Sequence, residues 1–189
     1  AGAIFQQILS EHGVTLGTHV KSCQDIADRD FAWDRLGEDL ASLLSPGFPV
    51  LDETARRRML LAIEAAQSEG DSLGAVLETA VLGLPAGIGE PFFHSVESEI
   101  SHLLFSIPAV KGVAFGLGFG FAHGAMAQDP GEGRRGEPKK LRIRGRHDPA
   151  IFHRARAVVD AAAAMALCDL MMGRFGYLWA RKEGPCVTV

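Results

Sequence analysis

Arg146, His147 and Asp148 stand immediately before Pro149, inside a stretch from Lys140 to Asp160, KLRIRGRHDPAIFHRARAVVD, that combines charge, a sharp stop and a helix start. Leu141-Arg142-Ile143-Arg144 alternates apolar and basic in the two-residue period of a half-buried strand, and Gly145 ends it. Asp148 then takes the place of an N-cap and Pro149 that of the first helical residue, where a missing N–H costs nothing; Ile151, Phe152, Ala155, Val158, Val159 and Ala162 follow at helical spacing. Two donors and a carboxylate are thereby placed on a strand-to-helix junction, facing the positive end of a helix. Such a junction can hold an anion and handle a proton. It can equally be an ordinary Asp-Pro helix start with solvated neighbours.

Other residues capable of chemistry do not form a second pattern. GLGFG at Gly116–Gly120 lacks the spacing of a dinucleotide loop and reads as a strand end or bulge. His94 and His102 have no acidic or thiol partner at ligand spacing and read as surface or interface residues; His12, near the end of a predicted helix, is accounted for by the helix dipole. No metal is indicated. Cys23, Cys168 and Cys186 are odd in number and widely spaced, as suits reduced thiols in the cytoplasm.

The elements that must position the junction follow from periodicity. Residues 1–12 form an amphipathic helix ending at Gly13, so the chain starts inside an element, which is the expectation for a cleaved or shortened product. Strands are predicted over 14–23, 72–84 and 110–119, with 72–84 in the middle of a sheet, and a polar turn over 25–30. Helices are predicted over 32–44, 52–69 with Asp52 as cap and Gly70 as stop, 91–106, and from Pro149 to Met172. Residues 120–140 hold seven Gly or Pro and read as one long flexible loop. The order of elements gives a single α+β domain over 1–189, an antiparallel sheet with packed helices.

At 189 residues and 47% hydrophobic content the chain can bury a substantial core. No run of eighteen apolar residues is present; the stretch 157–172 is interrupted by Asp160 and Asp169 and reads as a buried helix, so no membrane span is expected. Between Glu132 and Arg146 seven Lys or Arg stand against two Glu. The net charge of −4 and the lack of aromatic residues among these bases argue against nucleic acid and in favour of a small anionic ligand.

Three motifs carry a resemblance. GRHDP at 145–149 with Arg154 beyond it, EGDSLGAVLETAVLGLPAGIGEPFF at 69–93, and SIPAVKGVAFGLGF at 106–119 are, in that collinear arrangement, similar to motifs of the chorismate synthase family. The resemblance covers nearly the whole sequence. It implies the family's β-α-β sandwich, in incomplete form, and a homotetrameric cytoplasmic lyase of the shikimate pathway of aromatic amino acid biosynthesis. The implied reaction is the 1,4-anti elimination of phosphate from 5-enolpyruvylshikimate 3-phosphate to chorismate, with reduced FMN as cofactor. Carried over residue by residue, Asp148 is the proton-handling carboxylate, Arg146 contacts flavin or substrate anion, and Pro108 and Ala109 line the flavin. The family's N-terminal SHG histidine has no counterpart before Ala1, and its GGISNG and KPT segments have none between 119 and 145. The sequence therefore reads as a chorismate synthase that is active when complete, or as a non-catalytic scaffold or flavin-binding relative.

Overall fold

The chain folds around one central strand, β1, Thr15–Cys23, with a short β2, Ile26–Ala27, on one side and β3, Ala75–Leu82, on the other. The computed structural model describes residues 2–45, 47–90, 92–118, 150–176 and 179. Both pairings are antiparallel. The β1–β3 register runs from Thr15 opposite Leu82 to Val20 opposite Leu77, then slips at Lys21, so that Ser22 faces Val76. Lys21 is the extra residue of a β-bulge.

Among the described residues five helices surround this sheet: α1, Gly2–Glu11; α2, Leu36–Ser42, led by a 3₁₀ turn at Trp33–Arg35; α3, Glu53–Glu69; α4, Val96–Phe105, which packs on α5; and α5, Phe152–Phe175. The α+β class and the antiparallel sheet expected from the sequence are those observed. Alternation along β1 divides the core. Leu16 and Val81 pack with Leu9, Val14, Ala164, Leu167, Cys168 and Met171 of the α1–α5 layer, whereas Gly17 meets Leu40 and Leu43, and Ala80 joins Phe31, Leu36, Leu40 and Leu43 around α2. A third cluster joins Val20 and Cys23 to Ala55 and Met59 of α3 and to Phe152 at the start of α5. Each fully buried Leu or Met in these clusters stabilises the fold by roughly 1.5–3 kcal/mol. Burial raises the pKa of the Cys23 thiol, and it pushes the Cys168 thiol up to about 11, so both stay protonated and unreactive.

Local chemistry sets the helix ends. The Asp52 carboxylate accepts from Thr54 N at 2.9 Å to cap α3, and Gly70, left-handed at φ 66°, returns its N–H to Ala66 and Gln67. At the end of β3, Gly83 has φ 83° and lies so close to the Gly13 carbonyl oxygen that a Cβ there would collide with it. His12 does more than sit at a helix end, since its ring stacks on Trp179 with centroids 4.2 Å apart.

Several expectations need correction. Residues 110–118 form no strand: they run irregularly into a turn in which Gly118 N bonds Phe115 O, with Gly116 and Gly118 at φ 58° and 52°. Glycines free to adopt left-handed angles favour the turn over an extended ladder. The helix predicted from 91 begins only at Val96, because Phe92 is left-handed at φ 79°, Glu90 N closes a turn onto His94 O, and Ser95 caps by accepting from Ser98 N. The turn predicted over 25–30 contains β2, whose pairing to Ser22 and Cys23 makes a tight hairpin through Gln24 at φ 52°. The N-cap position of α5 falls at Ile151, with helical backbone angles and no side-chain cap, because Ala150 and Phe152 are both drawn into the core. Among the described residues β3 has one partner, β1, so its predicted place in the middle of a sheet is not met there. The strand read at 141–144, the loop read over 120–140, and Cys186 lie outside the described residues.

Candidate functional site

Of the residues singled out by the motifs, Pro108 and Ala109 lie together on the turn that ends α4. Ser106 N and Ile107 N return to Leu103 O and Leu104 O, and Val110 N closes the turn onto Ile107 O at 3.0 Å. Pro108 stops the helix, and both side chains are exposed. Arg154 is exposed on the first turn of α5. Arg146 and Asp148 lie outside the described residues. Pro108 and Ala109 thus form an exposed apolar step on this turn.

A second constellation, which sequence reasoning missed, lies in the middle of the sheet. Thr18 and His19 are neighbours on β1, so they face opposite sides, and each meets its direct partner on β3, Thr79 and Glu78. On the α5 side the Thr18 hydroxyl donates to Asp160 Oδ1 at 2.5 Å and lies 2.7 Å from Thr79 Oγ1. Arg156 stands one turn before Asp160, with Nε 3.2 Å from Oδ2, and donates from Nη2 to Leu43 O at 2.8 Å. Burial raises the Asp160 pKa, against the pull of Thr18 and Arg156.

On the α2 side His19 is fully buried between two carboxylates, Nδ1 at 2.7 Å from Asp28 Oδ2 and Nε2 at 2.9 Å from Glu78 Oε2, with the Phe31 ring edge-on at 4.6 Å. Burial disfavours charge on the ring, but the hydrogen bonds to Asp28 and Glu78, reinforced by their charge, outweigh it and raise the His19 pKa. Asp28, pushed up by burial, is pulled further down by His19 and by the Leu51 N–H. The His19 hydrogen bond lowers Glu78 against burial, helped by Lys21, whose Nζ lies 3.2 Å away and also pairs with Asp30. Beside them Arg29 forks onto Asp39 at 2.9 and 2.6 Å, and this pairing, with Ala32 N–H, holds the Asp39 pKa at about 2 against desolvation.

The histidine of this inner constellation is itself fully buried, and the cluster meets solvent at the partly exposed Glu78 side chain. The sequence did carry a signal: Glu78 is the one charge in the otherwise largely apolar stretch of β3, and a charged group placed there must find a partner. A pH dependence follows. Asp28 and Glu78, depressed in the fold, stabilise it above the ordinary carboxylate range and lose that contribution as pH falls through their lowered values. His19, raised, stabilises it below about pH 6.5, and the contribution disappears as pH rises through its folded value. Asp160, also raised, acts in the opposite sense to the other carboxylates and blunts the acid limb. Melting is therefore expected to be highest between about pH 5 and pH 6.5. A calorimetric profile rising steadily from pH 6 to 8 would contradict it.

Among the described residues no helix is long and apolar enough to cross a membrane, and no group of three or more His, Cys, Asp or Glu is placed to hold a metal ion. The fold defines the class: helices layered on an antiparallel sheet as in a crystal structure of chorismate synthase, which superposes with a TM-score of 0.71 over 93% of this chain and 62% of that one at 20% identity. The family model for chorismate synthase matches residues 1–132, and the chain belongs to the chorismate synthase family. Relatives named chorismate synthase include those of Synechocystis, 30% identical over all of this chain and 63% of its own length, Pyrococcus abyssi, 28% identical over 97% and 63%, and Thermococcus gammatolerans, 32% identical over 72% and 51%. The chain thus spans about half to under two thirds of the length of these relatives. The Synechocystis alignment runs over 238 positions against the chain's 189 residues, a difference of 49, so the relative has at least that many residues with no counterpart within the matched span.

Proposed function

We propose that this protein is a chorismate synthase, a phosphate lyase that converts 5-enolpyruvylshikimate 3-phosphate to chorismate with reduced FMN, in the cytoplasm and as a homo-oligomer. The match of the family model over residues 1–132, continued by GRHDP at 145–149, carries this reading. Bound reduced flavin supplies electron density to the allylic system of the substrate. The remainder falls to side chains of this protein. In the 1,4-anti elimination the C–O bond to phosphate breaks, a C–H proton is removed and a second double bond forms in the ring, with no net oxidation. Pro108 and Ala109 offer an apolar step for the ring of the cofactor. Arg146 brings a fixed, always charged fork suited to phosphate and carboxylate oxygens, and Asp148 the carboxylate that handles the proton.

The unmatched positions in the Synechocystis alignment favour one second reading, a member of the family that binds flavin or assembles without turning over. Mixing the chain with FMN, dithionite and the phosphorylated substrate under anaerobic conditions separates the two. The enzyme reading expects a perturbed flavin spectrum together with released phosphate. A perturbed spectrum without phosphate selects the flavin-binding protein, and an unperturbed spectrum without phosphate removes the enzyme and the flavin binder and leaves a member that assembles only.

A further inference from the structure

His19 is held by two carboxylates of unequal freedom. The Asp28 carboxylate is fixed: beside His19 it accepts from Arg29 N at 2.9 Å, Leu51 N at 2.6 Å and Asp52 N at 2.9 Å, and its side chain is inaccessible to solvent. The Glu78 side chain is 40% exposed and already shared with Lys21. An imidazolium ring donates to both. A neutral ring has one N–H only, and the other nitrogen becomes a lone pair facing a carboxylate oxygen. The three backbone donors prevent Asp28 from moving without stranding Leu51 N and Asp52 N, whereas Glu78 can rotate towards Lys21 and water.

We propose that His19 is a protonation-gated latch: when charged it holds Glu78 inward across the β1–β3 ladder, and when neutral it keeps Nδ1–H on Asp28 and releases Glu78 to the surface beside Lys21. The bulge at Lys21 lies where the release would occur, next to the slip in register between Val20 and Ser22. The charged and titratable groups on this side are Asp28, Arg29 and Asp30 in the segment after β2, Lys21 on β1, Glu78 on β3, Asp39 on α2 and Asp52 before α3. Arg29 is occupied by Asp39 and Lys21 is shared between Asp30 and Glu78, so the two carboxylates on the ring nitrogens are the groups through which His19 feels pH.

The test is a ¹⁵N NMR titration of the histidine rings in the full chain, with His19 assigned by its loss in His19→Gln. In the wild type the His19 ring is expected to titrate above the ordinary histidine value, and its neutral form to be the Nδ1–H tautomer. Glu78→Gln, which keeps an oxygen acceptor without the charge, is expected to lower the midpoint by about one pH unit or more and to leave that tautomer unchanged. The ¹³C shift of the Glu78 side-chain carboxylate should change with the same midpoint as the ring in the wild type. A neutral Nε2–H tautomer overturns the latch, because it would mean that Asp28 and not Glu78 is let go. A Glu78 resonance that ignores the ring's titration overturns it as well, and both readings need only the wild-type protein if the variant does not fold.

Discussion

Asp148→Asn is expected to leave melting unchanged while reducing turnover by about a hundredfold or more, the scale of a lost general acid or base. The separation between the two readouts is unusually clean, because the N-cap position of α5 falls at Ile151 and Asn is in any case as good a cap as Asp. A purely structural Asp148 would give wild-type turnover in the Asn variant. The experiment is single-turnover phosphate release by protein shown to be folded and loaded with reduced FMN. Wild-type rates under those conditions would remove Asp148 from proton handling and leave the family's chemistry to other residues.

Asp28→Ala is expected to produce the largest loss of stability of any single polar substitution in the described part of the chain, about 3–5 kcal/mol, the scale for removing one member of a buried ion pair. The substitution takes away the partner of His19 and, at the same time, the acceptor of Leu51 N, Asp52 N and Arg29 N. Asp28→Asn keeps an acceptor oxygen and should cost less, about 1–3 kcal/mol, since the charge on the histidine is then held by Glu78 alone. Urea denaturation of the three proteins at pH 6 decides the matter. A loss below 1 kcal/mol in the Ala variant would mean that water takes over the role of the carboxylate.

What was legible in the sequence was what local chemistry determines. Asp52 and Gly70 mark the ends of α3 because a cap and a left-handed stop act on the nearest few N–H and C=O groups. Gly13 and the alternation of 14–23 likewise located the end of α1 and the course of β1. The segment 110–118 was misread because VKGVAFGLGF alternates well enough for a strand, yet nothing local reveals whether a partner edge exists or whether its glycines will turn. β2 was hidden for a related reason: two residues paired through a left-handed Gln24 look like polar turn until their ladder with Ser22 and Cys23 is seen. At the motif site, Pro108 and Ala109 could be named from SIPAVKG, and both are exposed on the turn after α4. The His19 constellation escaped notice since His19 and Glu78 are 59 residues apart and only the register of β1 with β3 makes them neighbours.

Asp28 also joins two points of the chain 24 residues apart, its own position and the backbone at Asp52, and it does so without a covalent bond. Between them run the Phe31 turn, α2 and the approach to α3, all leaving from and returning to one carboxylate. Because the ends are held by a side chain, the length of what lies between is weakly constrained: doubling a closed loop adds only about 0.6 kcal/mol of closure entropy. Insertions at exposed positions between Leu43 and Phe48 can therefore be carried without disturbing the sheet, whereas shortening the short link from Cys23 to Asp28 would pull the carboxylate off the histidine and open both ends together. Tolerance to change in length is thus distributed very unevenly over two adjoining segments, and the residue that divides them is Asp28.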